Sequence, residues 1–166
     1  MTSSATLRIL DIVPGTSVDG PGLRTSIYFA GCSHCCAGCH NPQSWDMNGG
    51  EEMAIDEIIA IVEENGFNVT FSGGDPIYQL NALIPLAYEL HKRGYNIWCY
   101  TGFSFEELLD IDGIDTFLNL INVIVDGPFV SDLRDTSLRF RGSANQRLID
   151  VTHSDRKHIT IWHDDD

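Results

Sequence analysis

The sequence predicts an α/β fold in which parallel strands are joined by crossover helices. Three observations carry that prediction. Short runs rich in β-branched and aromatic residues alternate with amphipathic stretches of helical period. Four of these runs end in turns that hold cysteine, glycine, aspartate or proline, at the carboxyl ends where parallel sheets and barrels gather their chemistry. The 166 residues suit one domain, read as residues 1–166, and fall short of the roughly 250 of a complete eight-unit barrel.

Taken in order, residues 1–6 are small and polar and read as a frayed end, and residues 7–13 read as a strand. Residues 14–22 form a turn-rich connection. Residues 25–30 are the first central strand and run straight into a cysteine-rich loop. Ile55, Ile58, Ile59 and Val62 are spaced i, i+3, i+4, i+7, which predicts a helix ended by Gly66. Residues 68–71 are the second strand, broken by Ser72-Gly73-Gly74-Asp75-Pro76. Residues 80–93 are a helix closed by Gly94, in which Pro85 should introduce a kink or mark the true first turn. Residues 96–100 are the third strand, and Ser104 with Glu107 forms a capping box for a short helix through Leu109. A short helix over 115–120 precedes the fourth strand, 123–125, which ends in Asp126-Gly127-Pro128. Residues 149–151 and 158–162 are expected to add strands, and residues 164–166 are a solvated tail.

Composition narrows the function. With 24 acidic against 10 basic residues the net charge is -14, which argues against a nucleic-acid backbone or an anionic membrane as partner. No apolar run approaches about 18 residues, and the first residues carry neither a basic start nor a hydrophobic segment, so the expectation is a cytoplasmic protein with reduced thiols.

Cys32, Cys35, Cys36 and Cys39 fall within eight residues, too close for easy mutual disulfides and dense enough to surround one metal centre. Packing thiols are not clustered in this way beside Gly31, Gly38 and His40. Paired as Cys32-x2-Cys35 and Cys36-x2-Cys39, with or without His34 or His40, they resemble a zinc knuckle, whose pairs are normally separated. A non-catalytic zinc-binding interaction module follows from that pairing. Grouped as Cys32-x3-Cys36-x2-Cys39, they offer three thiolates on one loop, which suits a cubane iron–sulfur cluster and leaves one iron without a protein ligand.

Other candidates lie at the remaining strand ends. Gly73 and Gly74 let the backbone approach a ligand, and Asp75 could accept from an ammonium group; the alternative is a plain turn. Asp126 ends an apolar strand, where a carboxylate is costly to bury without a partner; the alternative is an Asx turn with Gly127. Thr101 and Tyr100 are candidates of the same kind, and Cys99 reads as a core thiol. Arg134, Arg139, Arg141 and Arg147 concentrate four of the ten basic residues in fourteen positions, either a solvated face or a local basic patch.

Cys32-x3-Cys36-x2-Cys39 is also the signature of the radical S-adenosylmethionine (SAM) enzymes. The segment from Ser17 to Arg24, with Asp19-Gly20-Pro21-Gly22 at its centre, resembles that of the glycyl-radical-enzyme activating proteins, and Cys39-His40-Asn41-Pro42 continues as theirs does. Phe140-Arg141-Gly142-Ser143-Ala144-Asn145-Gln146 resembles the C-terminal segment of the anaerobic (class III) ribonucleotide reductase activating proteins. The resemblance covers roughly residues 7–151. It implies an incomplete, TIM-like barrel of parallel strands with outer helices, of radical SAM type. It further implies that Cys32, Cys36 and Cys39 hold a 4Fe–4S cluster whose open iron binds SAM, and that Cys35 does not.

By the same resemblance, an electron from a flavodoxin- or ferredoxin-like reductant cleaves SAM. The resulting 5′-deoxyadenosyl radical takes hydrogen from a glycine of the anaerobic ribonucleotide reductase. Gly73, Gly74 and Asp75 would meet the methionine end of SAM, and Asp126 its ribose or the substrate. The sequence departs from the superfamily before the third cysteine, where an aromatic residue often contacts adenine and Gly38 stands here. His40, or the backbone around Gly38, would have to make that contact. Activation of another glycyl-radical enzyme, such as formate C-acetyltransferase, is the alternative within the class. Cys35 and Cys99 alone are too few to hold an additional cluster.

Overall fold

Apolar alternation along short segments and helical period between them produce a mixed α/β architecture. The computed structural model describes residues 6–17, 20–31, 50–135 and 137–162. Seven strands form one sheet in these residues: β1 (Thr6–Thr16), β2 (Arg24–Phe29), β3 (Glu51–Ala54), β4 (Asn68–Gly73), β5 (Ile97–Tyr100), β6 (Val123–Asp126) and β7 (Arg147–Asp150). Helices α1 (Ile55–Asn65), α2 (Leu80–Lys92), α3 (Phe105–Leu108) and α4 (Ile114–Leu118) alternate with them. None is long and apolar enough to cross a membrane.

The sheet order is β3-β1-β2-β4-β5-β6-β7. Its centre is parallel, with β2 on β4, β4 on β5 and β5 on β6. The expectation of parallel strands throughout is corrected at both sides: β1 runs antiparallel to β2 and to β3, and β7 antiparallel to β6. The cause is the length and content of the connections. Seven residues, 17–23, separate β1 from β2, too few for a crossover, so the chain turns back on itself. Between β6 and β7 the described residues hold only the 3-10 turn Ser131–Leu133 and no crossover helix. The strand β3 lies outside the sequence expectation altogether, because Glu51 and Glu52 are exposed and give it no apolar signature.

The main core lies between the sheet and the helices. Ile27, Phe29, Val69, Phe71, Ile97, Cys99 and Ile124 project from alternate strand positions onto Ile58, Val62, Leu83, Leu86, Leu90 and Phe117. Phe29 and Phe71 meet edge to face at 5.6 Å. The stripe of α1 is buried as its spacing predicts, Asp56 and Glu57 sit in its first turn, and Gly66 ends it at φ 72° with its N–H on the Val62 carbonyl. Helix α2 starts at Leu80, after the 3-10 turn Pro76–Gln79, so Pro85 lies inside it and does not mark its first turn. The carbonyl this proline leaves without a donor is that of Asn81, which is exposed to water. The capping box on α3 is present, with Ser104 Oγ accepting from Glu107 N–H at 3.1 Å and Glu107 Oε1 accepting from Ser104 N–H at 2.9 Å.

A second cluster covers the opposite face of the sheet, where Trp98, Val123 and Val125 meet Phe140, Leu148 and Trp162. Residues 158–162, expected as a strand, contribute one isolated bridge between Ile161 and Ile149, and Trp162 packs edge to face on Trp98 at 4.9 Å. The base of this face holds Arg24, which is 1% exposed. Its guanidinium donates to Thr70 Oγ1 at 2.9 Å, to the Val69 carbonyl at 2.8 Å and to Asn96 Oδ1 at 2.9 Å, and lies 5.6 Å from the centre of the Trp98 ring. Burial lowers its pKa to about 10.

Candidate functional site

Because β2, β4, β5 and β6 are parallel, their carboxyl ends reach one edge of the sheet, and the turns that follow are tied to one another. The Gly31 carbonyl, last in the described chain before the cysteines, accepts the Asp75 N–H at 2.7 Å. Gly74 N–H donates to the Phe29 carbonyl at 2.9 Å. Gln79 adds a third link, accepting from Arg8 N–H at 2.8 Å and donating to the Ala30 carbonyl at 3.1 Å. Sequence reasoning missed Gln79, since nothing in its neighbourhood signals a residue that pins β1 and β2 together.

Asp75 is completely buried. Its Oδ1 accepts from Ile77 N–H at 3.1 Å, and its Oδ2 accepts from Thr101 Oγ1 at 2.8 Å and Gly102 N–H at 2.9 Å. A carboxylate expected to face an ammonium group therefore joins the end of β4 to the end of β5. Gly73 has φ 100°, and a Cβ there would stand 2.3 Å from the Phe29 nitrogen and 2.6 Å from its oxygen. The neighbouring strand requires this glycine before any ligand does.

Asp126, at the end of β6, is 1% exposed and has the partner that burial demands. That partner is Arg147, directly opposite on β7, whose Nε lies 3.1 Å from both carboxylate oxygens and whose terminal nitrogen contacts Oδ2. Asp126 Oδ2 also accepts from Phe105 N–H at 2.8 Å, at the start of α3. The Asx turn through Gly127 is not formed: the residue two on, which would have to donate, is Pro128 and has no N–H, and the carboxylate is taken up by Phe105 and Arg147. Arg147 continues outward to Glu106. The hydrogen bond from Arg147 holds the Glu106 carboxyl below its ordinary value, while hydrogen bonding to Asp126 above all raises that of Arg147. One arginine of the basic cluster is thus committed within the rim.

Tyr100 and Thr101 are also at this edge. Thr101 serves Asp75, and the Tyr100 hydroxyl donates to the Phe140 carbonyl. Cys99 is fully buried, as its position in an apolar strand predicts, and burial followed by the nearby charge of Asp75 pushes its thiol well up.

Cys32, Cys35, Cys36 and Cys39, with His34, Gly38 and His40, lie outside the described residues. Among the described residues no group of three or more histidine, cysteine or acidic side chains is placed to hold a metal ion. The thiolate donor set on residues 32–39 suits an iron–sulfur cluster chemically, and its chain departs from the sheet at Gly31, on the tied edge.

Comparison with known proteins agrees with that donor set. A family model described as a 4Fe-4S single cluster domain matches residues 18–149. The anaerobic ribonucleoside-triphosphate reductase-activating protein of Salmonella typhi is 38% identical over 150 residues, covering 84% of this chain and 96% of the relative. That of Escherichia coli K12 is 37% identical over 147 residues, covering 80% and 92%. The protein of the same name from Enterobacteria phage T4 is 31% identical over 155 residues, covering 89% and 96%. With similarity of this extent running through the cysteine segment, the rim turns and the arginine cluster, the chain belongs to the family of anaerobic ribonucleoside-triphosphate reductase-activating proteins.

Proposed function

We propose that the protein is a radical SAM enzyme that generates a glycyl radical on the anaerobic ribonucleoside-triphosphate reductase. The observation that carries this reading is the bond between Gly31 and Asp75, which joins the root of the cysteine segment to the glycine turn after β4. Thiol donors and a close-approach backbone then start from one fixed edge. Cys32, Cys36 and Cys39 hold a 4Fe–4S cluster, and Cys35 does not. With SAM bound, the cluster supplies reductive carbon–sulfur cleavage and hydrogen abstraction from a glycine of the partner.

The chain's own residues bind and orient. Gly73 and Gly74 expose backbone to the methionine end of SAM, and Asp75 holds that turn against Thr101 and Gly102. His40 and the backbone at Gly38 meet the adenine. Asp126, locked by Arg147, fixes the start of α3 beside the ribose or the substrate. In this reading the sheet is an incomplete TIM-like barrel, residues 1–166 are one domain, the protein works in the cytoplasm, and a flavodoxin- or ferredoxin-like protein delivers the electron.

Anaerobic reconstitution with iron and sulfide tests the reading. The expected result is about four irons per chain, the cubane content, a paramagnetic resonance signal that SAM perturbs, and a radical on the reductase after reduction. Zinc without sulfide would overturn it in favour of a metal-binding interaction module.

A further inference from the structure

We infer that the cavity between Ser17, Tyr100 and residues 138–142 is the docking site for an acidic segment of the protein substrate, whose carboxylate is received by Arg139 and Arg141. The identity of that partner rests on the proposed function. The cavity has a volume of about 400 Å³ and is lined by Ser17, Tyr100, Leu138, Arg139, Phe140, Arg141 and Gly142.

Backbone strain singles this loop out. Phe140 is the non-glycine residue with positive φ among the described residues, at 63°, a conformation that costs a bulky side chain energy and persists only where the surroundings impose it. They do so from two sides. The Phe140 ring is buried edge to face on Trp98, at 5.4 Å and 82°, and its carbonyl accepts from the Tyr100 hydroxyl. Arg139 and Arg141 flank this fixed point and both line the cavity. The Arg139 guanidinium lies 4.5 Å over the Phe140 ring, and Arg141 donates to the Gln146 carbonyl. Two guanidinium groups are thus placed before any ligand arrives, which reduces the ordering cost of binding.

Charge selects the occupant. The chain carries -14 overall, yet Arg134, Arg139 and Arg141 lie within eight positions, apart from Arg147, which is paired with Asp126 and Glu106. An acidic surface is repelled elsewhere and attracted here, which orients its approach. A carboxylate matches the planar fork of a guanidinium, and Leu138 with the Phe140 ring supplies apolar contact for the stem of an acidic side chain.

The test is binding of the intact, cluster-loaded protein to the intact reductase at low and high salt. Arg139→Gln with Arg141→Gln is expected to weaken association about tenfold or more and to flatten its salt dependence. Arg93→Gln with Arg156→Gln, an equal charge change at arginines paired elsewhere with Glu63 and Asp115, should stay near the unaltered affinity. The single change Arg139→Gln, at an exposed side chain, gives a weaker loss of the same sign should the double variant fold poorly. Unchanged affinity in both Arg139 variants overturns the docking site, as does a parallel loss of SAM binding, or inorganic phosphate or a free nucleoside triphosphate occupying the cavity without displacing the reductase. If the unaltered protein does not bind the reductase, the inference falls. If it binds but forms no radical, the docking site stands and the radical reading falls.

Discussion

The Asp75 carboxylate accepts the Thr101 hydroxyl at 2.8 Å, inside the protein and between the ends of adjacent parallel strands. Gly102 N–H shares the same oxygen, and Ile77 N–H takes the other. In Asp75→Asn one of these oxygens becomes a donor and must face a donor. The expected loss is about 2–3 kcal/mol of unfolding free energy, against about 1 kcal/mol for Thr101→Val. Denaturant titration of the iron-free protein measures both, and equal midpoints for Asp75→Asn and the unaltered protein would remove Asp75 as the tie.

The two glycines of this turn should separate in their effects. Gly73→Ala places a methyl group against the Phe29 backbone at a φ that side chains avoid, so loss of the folded state is expected. Gly74→Val is expected to keep the fold and the cluster while SAM affinity drops. Titration of SAM into the reconstituted variant decides the second point, since undiminished affinity would return the turn to a purely structural role.

Arg147→Gln leaves the buried Asp126 carboxylate without its cation. Breaking a buried pair costs about 3–5 kcal/mol, and the lower end is expected because Arg147 is 34% exposed. A pH signature accompanies it. The Glu106 carboxyl is lowered by Arg147, so its contribution to stability is fully present above its ordinary value of 4.5 and disappears as pH falls through the lowered folded value. Stability of the unaltered protein should therefore decline below about pH 4.5 more steeply than that of Arg147→Gln. Parallel declines would show that the Glu106 contact contributes nothing.

Cys35→Ser is the diagnostic change in the cysteine segment. It should retain about four irons per chain and SAM cleavage, whereas Cys32→Ser, Cys36→Ser and Cys39→Ser should each abolish turnover. A tetrahedral zinc site drawing on all four sulfurs predicts equal damage from each, so a Cys35→Ser protein that loses its metal as fully as the others reverses the ligand assignment.

Local signals were legible and distant ones were not. The i, i+3, i+4, i+7 spacing of Ile55, Ile58, Ile59 and Val62 specified α1, and Ser104 with Glu107 specified the start of α3, because both depend on neighbours a few residues away. The four parallel strands and their shared edge followed from alternation. Strand β3 did not, since Glu51 and Glu52 join the sheet only through pairing with Arg8 and Ile9. Asp126 advertised its need for a partner, but the choice of Arg147 comes from the β6–β7 register. Arg24 looks like a surface residue in its own segment and is buried because acceptors arrive from Val69 and from Asn96, 45 and 72 positions away. The left-handed Phe140 follows from Trp98 and Tyr100, likewise remote in sequence.

The burial of Cys99 has a practical outcome at the bench. Alkylating reagents trap thiolates, and a thiol sealed in the core with its ionisation pushed far up offers them almost none. Iodoacetamide label taken up by the folded protein therefore reports on Cys32, Cys35, Cys36 and Cys39 alone, and a fifth label enters only when the chain unfolds. Counting labels by mass, before and after denaturation, distinguishes loss of metal shielding in an intact molecule from collapse of the molecule itself.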